Sequence, residues 1–220
     1  RKAMCKVFPK DEAIYKVFLG YGRILKGIIP DFYPGHLNNV SIPEYNISEA
    51  INLLKNEGYA KGFETYCIYD RSQFFMRPLL LLYKKSLENI GITLNLIGLK
   101  HEDYFIQLQS KEHPMKMTRY APWCADTAYA MAVSFLSSSL GNYSHYANSE
   151  VDKLIQNALI ESNYQAQLKQ LHKVQKIIIS EYPWINICNP DFIIARSSNI
   201  KGWVYRTYNH TEAQDFYLSG

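Results

Sequence analysis

The run Arg119-Tyr120-Ala121-Pro122-Trp123-Cys124-Ala125-Asp126-Thr127-Ala128-Tyr129 carries more groups able to do chemistry than any other stretch of the chain. Its residue types suit a zwitterion. Asp126 can accept charge-assisted hydrogen bonds from an ammonium, and Arg119 can grip a carboxylate. Trp123 and Tyr129 can wall an apolar pocket beside them. The same residues also read as a strand end with a packed Trp, followed by Asp126 as the N-cap of a helix beginning near Thr127.

Reactive chemistry finds no comparable support. The chain has no G-x-S-x-G elbow, no H-E-x-x-H pair, no G-x-G-x-x-G turn and no phosphate loop. Ser137-Ser138-Ser139 reads as a polar helix terminus. The six histidines, at 36, 101, 113, 145, 172 and 210, share no tight ligand spacing. His101-Glu102-Asp103 are adjacent, so they do not share a helix face, and helix capping is the better reading. Cys5, Cys67, Cys124 and Cys188 form no C-x-x-C pair, which argues against zinc; three full pairings are open to them, as are free buried thiols. The expectation is a protein that is not an enzyme and carries no cofactor or metal.

Composition agrees with a globular binder. In 220 residues, 47% are hydrophobic and 20% charged, a balance that excludes disorder. The 18 tyrosines suit wet binding clefts, where an apolar ring and a polar hydroxyl both find partners, although a genome rich in Tyr, Lys, Ile and Asn codons gives the same excess. The net charge of +4 is scattered among acidic residues with no basic run of five, so nucleic acid is not an expected partner. The longest apolar run, Leu79 to Tyr83, is far too short to span a membrane. An Arg-Lys start with no signal peptide in view has the look of a fragment or a processed product.

The elements that would position the central run alternate in type. Residues 1–19 read as a helix interrupted at Pro9, 20–30 as a glycine-rich loop, and 31–46 as an extended surface segment. Ser48 is the expected N-cap of a helix ending at Gly58. Strands are expected over 63–69, 92–99 and 115–121, with helices over 73–89 and 101–109 between them. That alternation gives an α/β layer of parallel strands. In such sheets ligands bind outside the carboxyl ends of the strands, which is where residues 119–129 fall. Further on, Asn148 or Ser149 caps a helix whose Val151, Leu154, Ile155, Ala158 and Leu159 form one stripe. A second helix covers 164–180 and stops at Pro183. Short buried strands are expected at 184–188 and 192–195, with strand-like residues again at 205–208.

Several landmarks then resemble one family in order along nearly the whole chain. They are Arg1-x-Ala3 with the loop from Gly20 to Pro30, Glu49-Ala50 through Leu53-Leu54 to Glu57-Gly58-Tyr59, and Leu87 with Ile90-Gly91-Ile92. Trp123-Cys124-Ala125-Asp126 follows, then Tyr146-Ala147-Asn148-Ser149-Glu150-Val151-Asp152, Tyr182-Pro183-Trp184-Ile185 and Lys201-Gly202-Trp203. Together they resemble the bacterial oligopeptide-binding proteins, the solute-binding family serving peptide and nickel ABC importers.

The resemblance implies an α/β fold, the C-terminal lobe of a two-lobed periplasmic-binding-protein type II clamp. Residues 1–196 would form the ligand-binding lobe and 197–220 would return toward the hinge, with the N-terminal lobe outside this chain. It implies a monomer in the periplasm, or on the outer face of the cytoplasmic membrane, that holds a peptide or other small solute and delivers it to an ABC permease. By the same resemblance Asp126 matches the amine-binding aspartate, and Trp123 and Cys124 match cleft-lining positions. The cysteine matching Cys124 can pair with one lying upstream of Arg1. Two departures bear on specificity. The place of an arginine that helps hold the ligand carboxylate is taken by Tyr120, with Arg119 one residue earlier, and on a strand that shift turns a side chain to the opposite face. The place of a ligand-binding histidine is taken by Phe75. These departures leave open a fold kept for an interaction or antigenic role, or a receptor for a nickel chelate, haem, glutathione or a sugar.

Overall fold

The computed structural model describes residues 1–120, 124–204 and 213–219. Its frame is a sheet of three parallel strands, β2 (Phe63–Asp70), β3 (Ile92–Leu99) and β4 (Met115–Lys116), in the order β3-β2-β4. The register runs from Phe63↔Ile92 to Asp70↔Leu99 on one side and Cys67↔Met115 on the other. Helix α4 (Met76–Glu88) joins β2 to β3, and α5 (His101–Leu108) carries the chain back across β2 to β4. Because the two crossovers run in opposite directions, right-handed connections place their helices on opposite faces. The burial follows: Cys67, Tyr69, Ile92 and Leu94 pack with Leu79, Leu80, Tyr83 and Leu87 of α4, while Ile68 packs with Tyr104 and Leu108 of α5.

The single helix expected over 1–19 is two, α1 (Lys2–Cys5) and α2 (Lys10–Val17), because Pro9 stands at the N-cap of the second. Helix α3 (Ile47–Asn56) starts earlier than Ser48 allows. Asn46 is its cap, with its side-chain oxygen accepting from the Glu49 N–H at 2.8 Å. Met76 opens α4, so Pro78 lies in the first turn, where no intrahelical N–H is lost. The strand expected over 115–121 pairs only at Met115 and Lys116. Beyond them the Met117 carbonyl accepts from the Tyr104 hydroxyl at 2.5 Å instead of continuing the ladder. Strand β1 (Gly22–Ile24) pairs antiparallel with β5 (Cys188–Pro190), and β6 (Ile200–Lys201) with β7 (Tyr217–Leu218). The strands expected at 184–188 and 192–195 reduce to β5; Phe192 and Ile193 are 59% and 68% exposed, with no strand beside them among the described residues. Residues 205–208 lie outside the described residues.

A second core is built from helices α6 (Thr127–Phe135), α7 (Ser149–Ile160) and α8 (Tyr164–Glu181). Asn148 caps α7 through the N–H groups of Glu150 and Val151, and Asn163 caps α8 through Ala166. Val151, Ile155 and Ala158 of the expected stripe are buried, but Leu159 stays 47% exposed, since α8 packs on the other side of the helix. Tyr182 takes a left-handed conformation (φ 53°) to end α8 one residue before Pro183. The segment expected as extended surface over 31–46 is partly inside: Tyr33 joins this core with Ile28 and Ile29. Gln175 Nε2 donates to the Gly35 carbonyl at 2.7 Å, and Thr127 Oγ1 to the Pro34 carbonyl, so the loop is strapped to α6 and α8 together.

Candidate functional site

Parallel strands with crossovers on opposite faces leave a crevice at their carboxyl ends where the connections diverge. Here the connection after β2 leads to one face and that after β3 to the other. The β2–α4 turn, with Phe75, leaves the carboxyl end of β2, and the segment from Met117 to the start of α6, with Arg119, Tyr120, Cys124 and Asp126, leaves that of β4.

Asp126 is the N-cap of α6, as one reading of the sequence had it. Its Oδ1 accepts from the Tyr129 N–H at 2.6 Å. The side chain is nevertheless exposed, and Oδ2 makes no hydrogen bond among the described residues. One oxygen therefore fixes the carboxylate and the other is left for a donor from outside. Burial pushes the Tyr120 phenol up to about 12. The Tyr120 ring lies 6.5 Å from Trp184, which in turn packs on Phe135 at 4.4 Å. The Tyr120 ring thus leans on the helical core while staying 42% exposed, and Arg119 beside it is exposed, its guanidinium unpaired among the described residues.

Phe75 does not join this group. Its ring packs on Phe18 at 6.0 Å and Phe74 at 5.5 Å, on the side of the sheet core. Trp123 lies outside the described residues. All four cysteines are free. Burial raises the thiols of Cys5 to about 11 and Cys67 to about 12, so both are inert packing groups. Among the described residues no three His, Cys, Asp or Glu side chains are grouped to hold a metal ion, and no helix is long and apolar enough to cross a membrane.

Residues 1–142 match the family described as bacterial extracellular solute-binding proteins, family 5 Middle. The chain belongs to this family. Among curated family relatives, it is 24% identical over 193 residues to the Escherichia coli (strain K12) protein described as "Probable D,D-dipeptide-binding periplasmic protein DdpA". It is 25% identical over 215 residues to the glutathione-binding protein GsiB of the same strain. These alignments take in 86% and 93% of the chain but only 37% and 42% of the relatives' lengths. Among solved structures, the periplasmic binding protein DppA from Helicobacter pylori, in complex with peptide STSA, superposes with a TM-score of 0.88 at 21% identity. It covers 99% of this chain and 43% of its own. The fold is therefore that of part of a periplasmic binding protein, in a family of solute binders.

Two residues carried too little signal to be read from residue types. Trp184 was legible only as a strand residue, yet its ring packs on both Tyr120 and Phe135. Asp70 is a buried carboxylate at the end of the central strand. Its Oδ2 lies 2.6 Å from His101 Nδ1, and its Oδ1 accepts from the Ser72 N–H at 2.8 Å. Burial raises the Asp70 pKa, but the hydrogen bonds from His101 and Ser72 outweigh it and leave the carboxyl below its ordinary 3.8. A depressed carboxyl contributes stability that is present above its unfolded value and lost as pH falls through the folded one. Asp70→Asn is therefore expected to cost about 1–3 kcal/mol at pH 7. In thermal melts the gap between the two proteins should close on acidification below about pH 4. A gap that stays constant with pH would mean Asp70 contributes by packing alone.

Proposed function

We propose that residues 1–196 form one ligand-binding lobe of a receptor that captures oligopeptides or related small solutes between two lobes, with 197–220 returning toward the hinge. The receptor works outside the cytoplasmic membrane, as a monomer, and passes its solute to an ABC permease. Asp126 carries this reading: a carboxylate locked by its own helix, with one free oxygen at the carboxyl-end crevice, is suited to a peptide's α-ammonium. Tyr129 stands beside this carboxylate, and Tyr120, Cys124 and Arg119 lie on the segment leading to it, whereas Phe75 packs away from it in the sheet core. The peptide chemistry named for the DdpA relative and the DppA complex supports the same class. Glutathione, named for GsiB, is itself a small peptide and falls within it.

Mass spectrometry of solutes co-purifying with the protein as its cell makes it tests the reading. Peptides are expected. Asp126→Asn keeps a good N-cap and removes the charge. It should weaken capture about ten- to hundred-fold, the equivalent of a charged hydrogen bond, while the melting temperature of the empty protein hardly moves. Peptides that bind the variant undiminished would remove Asp126 as the anchor. A wild-type protein that carries and binds no peptide would overturn the receptor reading itself.

A further inference from the structure

The Asp70–His101 pair is not used by the site described so far. Asp70 is the last residue of β2, and His101 is the first of α5, two residues after β3 ends, so the pair stands on the carboxyl rim of two adjacent parallel strands. The Asp70 side chain is 2% exposed and the His101 side chain 51%. Both oxygens of Asp70 are engaged from within, by the His101 ring and the Ser72 N–H. The Phe105 ring, one turn along α5, stands edge-on to the imidazole with centroids 4.8 Å apart. The imidazole is thus held at Nδ1 and across its face, while Nε2 has no hydrogen-bond partner among the described residues.

Asp70 accepts from Nδ1, and when the ring carries its second proton Nε2 is a donor as well. Nε2 is then a charge-assisted donor on a half-exposed side chain, outside the ends of the strands where solutes bind in open α/β sheets. The described residues offer it no acceptor, and none of them orients the guanidinium of Arg119 for the same task. We propose that His101, held by Asp70, donates from Nε2 to a carboxylate on the captured solute. This rests on the receptor reading above. His101 is the contact residue and Asp70 a positioning residue that acts through it.

The test compares two pools of Ala-X-Ala tripeptides on the protein as its cell makes it, stripped of bound solute, one pool with free carboxyl termini and one amidated. The free-acid pool should bind about ten-fold more tightly or better. His101→Gln should erase that preference, bringing the acid-to-amide ratio close to one. Asp70→Asn should reduce the preference without erasing it, an effect on the acid-to-amide ratio that a loss of stability alone does not produce. Peptide binding whose acid-to-amide ratio is the same in His101→Gln and wild type overturns the assignment and leaves the receptor reading intact. Failure of both pools to bind the wild type overturns the receptor reading and this assignment with it.

Discussion

Gly62→Ala is expected to lower stability by about 4 kcal/mol, near the upper end for a single substitution. Gly62 has φ +71°, and a Cβ built on it would lie 1.8 Å from the Gly91 carbonyl oxygen and 2.6 Å from the Gly91 carbonyl carbon. The obstacle is backbone, so no side-chain rotation relieves it. Gly91 (φ +78°) immediately precedes Ile92, and Phe63 follows Gly62, so the clash falls where the Phe63↔Ile92 register begins. Moving apart would strip the first pairings of the central ladder. The left-handed conformation adds about 1–2 kcal/mol for any residue with a Cβ. Gly58→Ala separates the two contributions. Its φ is +84°, but nothing lies within 4 Å of the added atom, so it should cost only about 1 kcal/mol. In thermal melts the Gly62 variant should lose roughly 8–16 °C against a few degrees for Gly58. Equal losses would show that the close approach of Gly62 and Gly91 does not set the register.

Lys116→Met should cost about 3 kcal/mol for a different reason. The Lys116 ammonium donates to the carbonyls of Leu108 at 2.8 Å, Ser110 at 2.6 Å and Tyr143 at 2.9 Å, and His145 Nε2 lies 3.1 Å away. Burial lowers the lysine pKa. These acceptors come from the end of α5, the loop after it and the loop before α7, so one side chain gathers three segments behind β4. Methionine keeps the length and loses every donor, leaving carbonyls that the fold has partly withdrawn from water. Arginine brings the charge but not the compact ammonium and should recover little. Chemical denaturation with an unchanged slope would give the loss directly. A loss under 1 kcal/mol would mean that water replaces the ammonium.

The alternation of elements was legible because each one carries its own local signal. The full extent of β3, the caps at Asn148 and Asp126, and the glycines after α3 and α4 all follow from residue type at a given spacing. What was not legible depends on partners distant in sequence. Residues 192–195 have strand-forming types but no strand to pair with among the described residues, and the chain leaves the ladder after the Met117 N–H, because Tyr104, thirteen residues earlier, takes the Met117 carbonyl. In the segment after β4 the aspartate was visible in its motif, whereas the seating of the Tyr120 ring depends on Trp184, and the His101–Asp70 pair on the register of β2 with β3. Phe75 was placed in the site by resemblance, and its ring is drawn instead to Phe18 and Phe74.

The two cores have a consequence for how the chain opens. The sheet core and the helical core bury separate sets of side chains; the chain visits the helical core first with Ile28, Ile29 and Tyr33, returns with α3, and passes over again between Met117 and Ala125, coming back at Trp184–Ile185. Units packed this way open as separate cooperative blocks in amide exchange. Amides of β2 and β3 should then exchange as one protected group and those of α7 and α8 as another. A solute that touched residues of both cores would couple the two blocks, and its occupancy would be read in the slowing of whichever is the weaker.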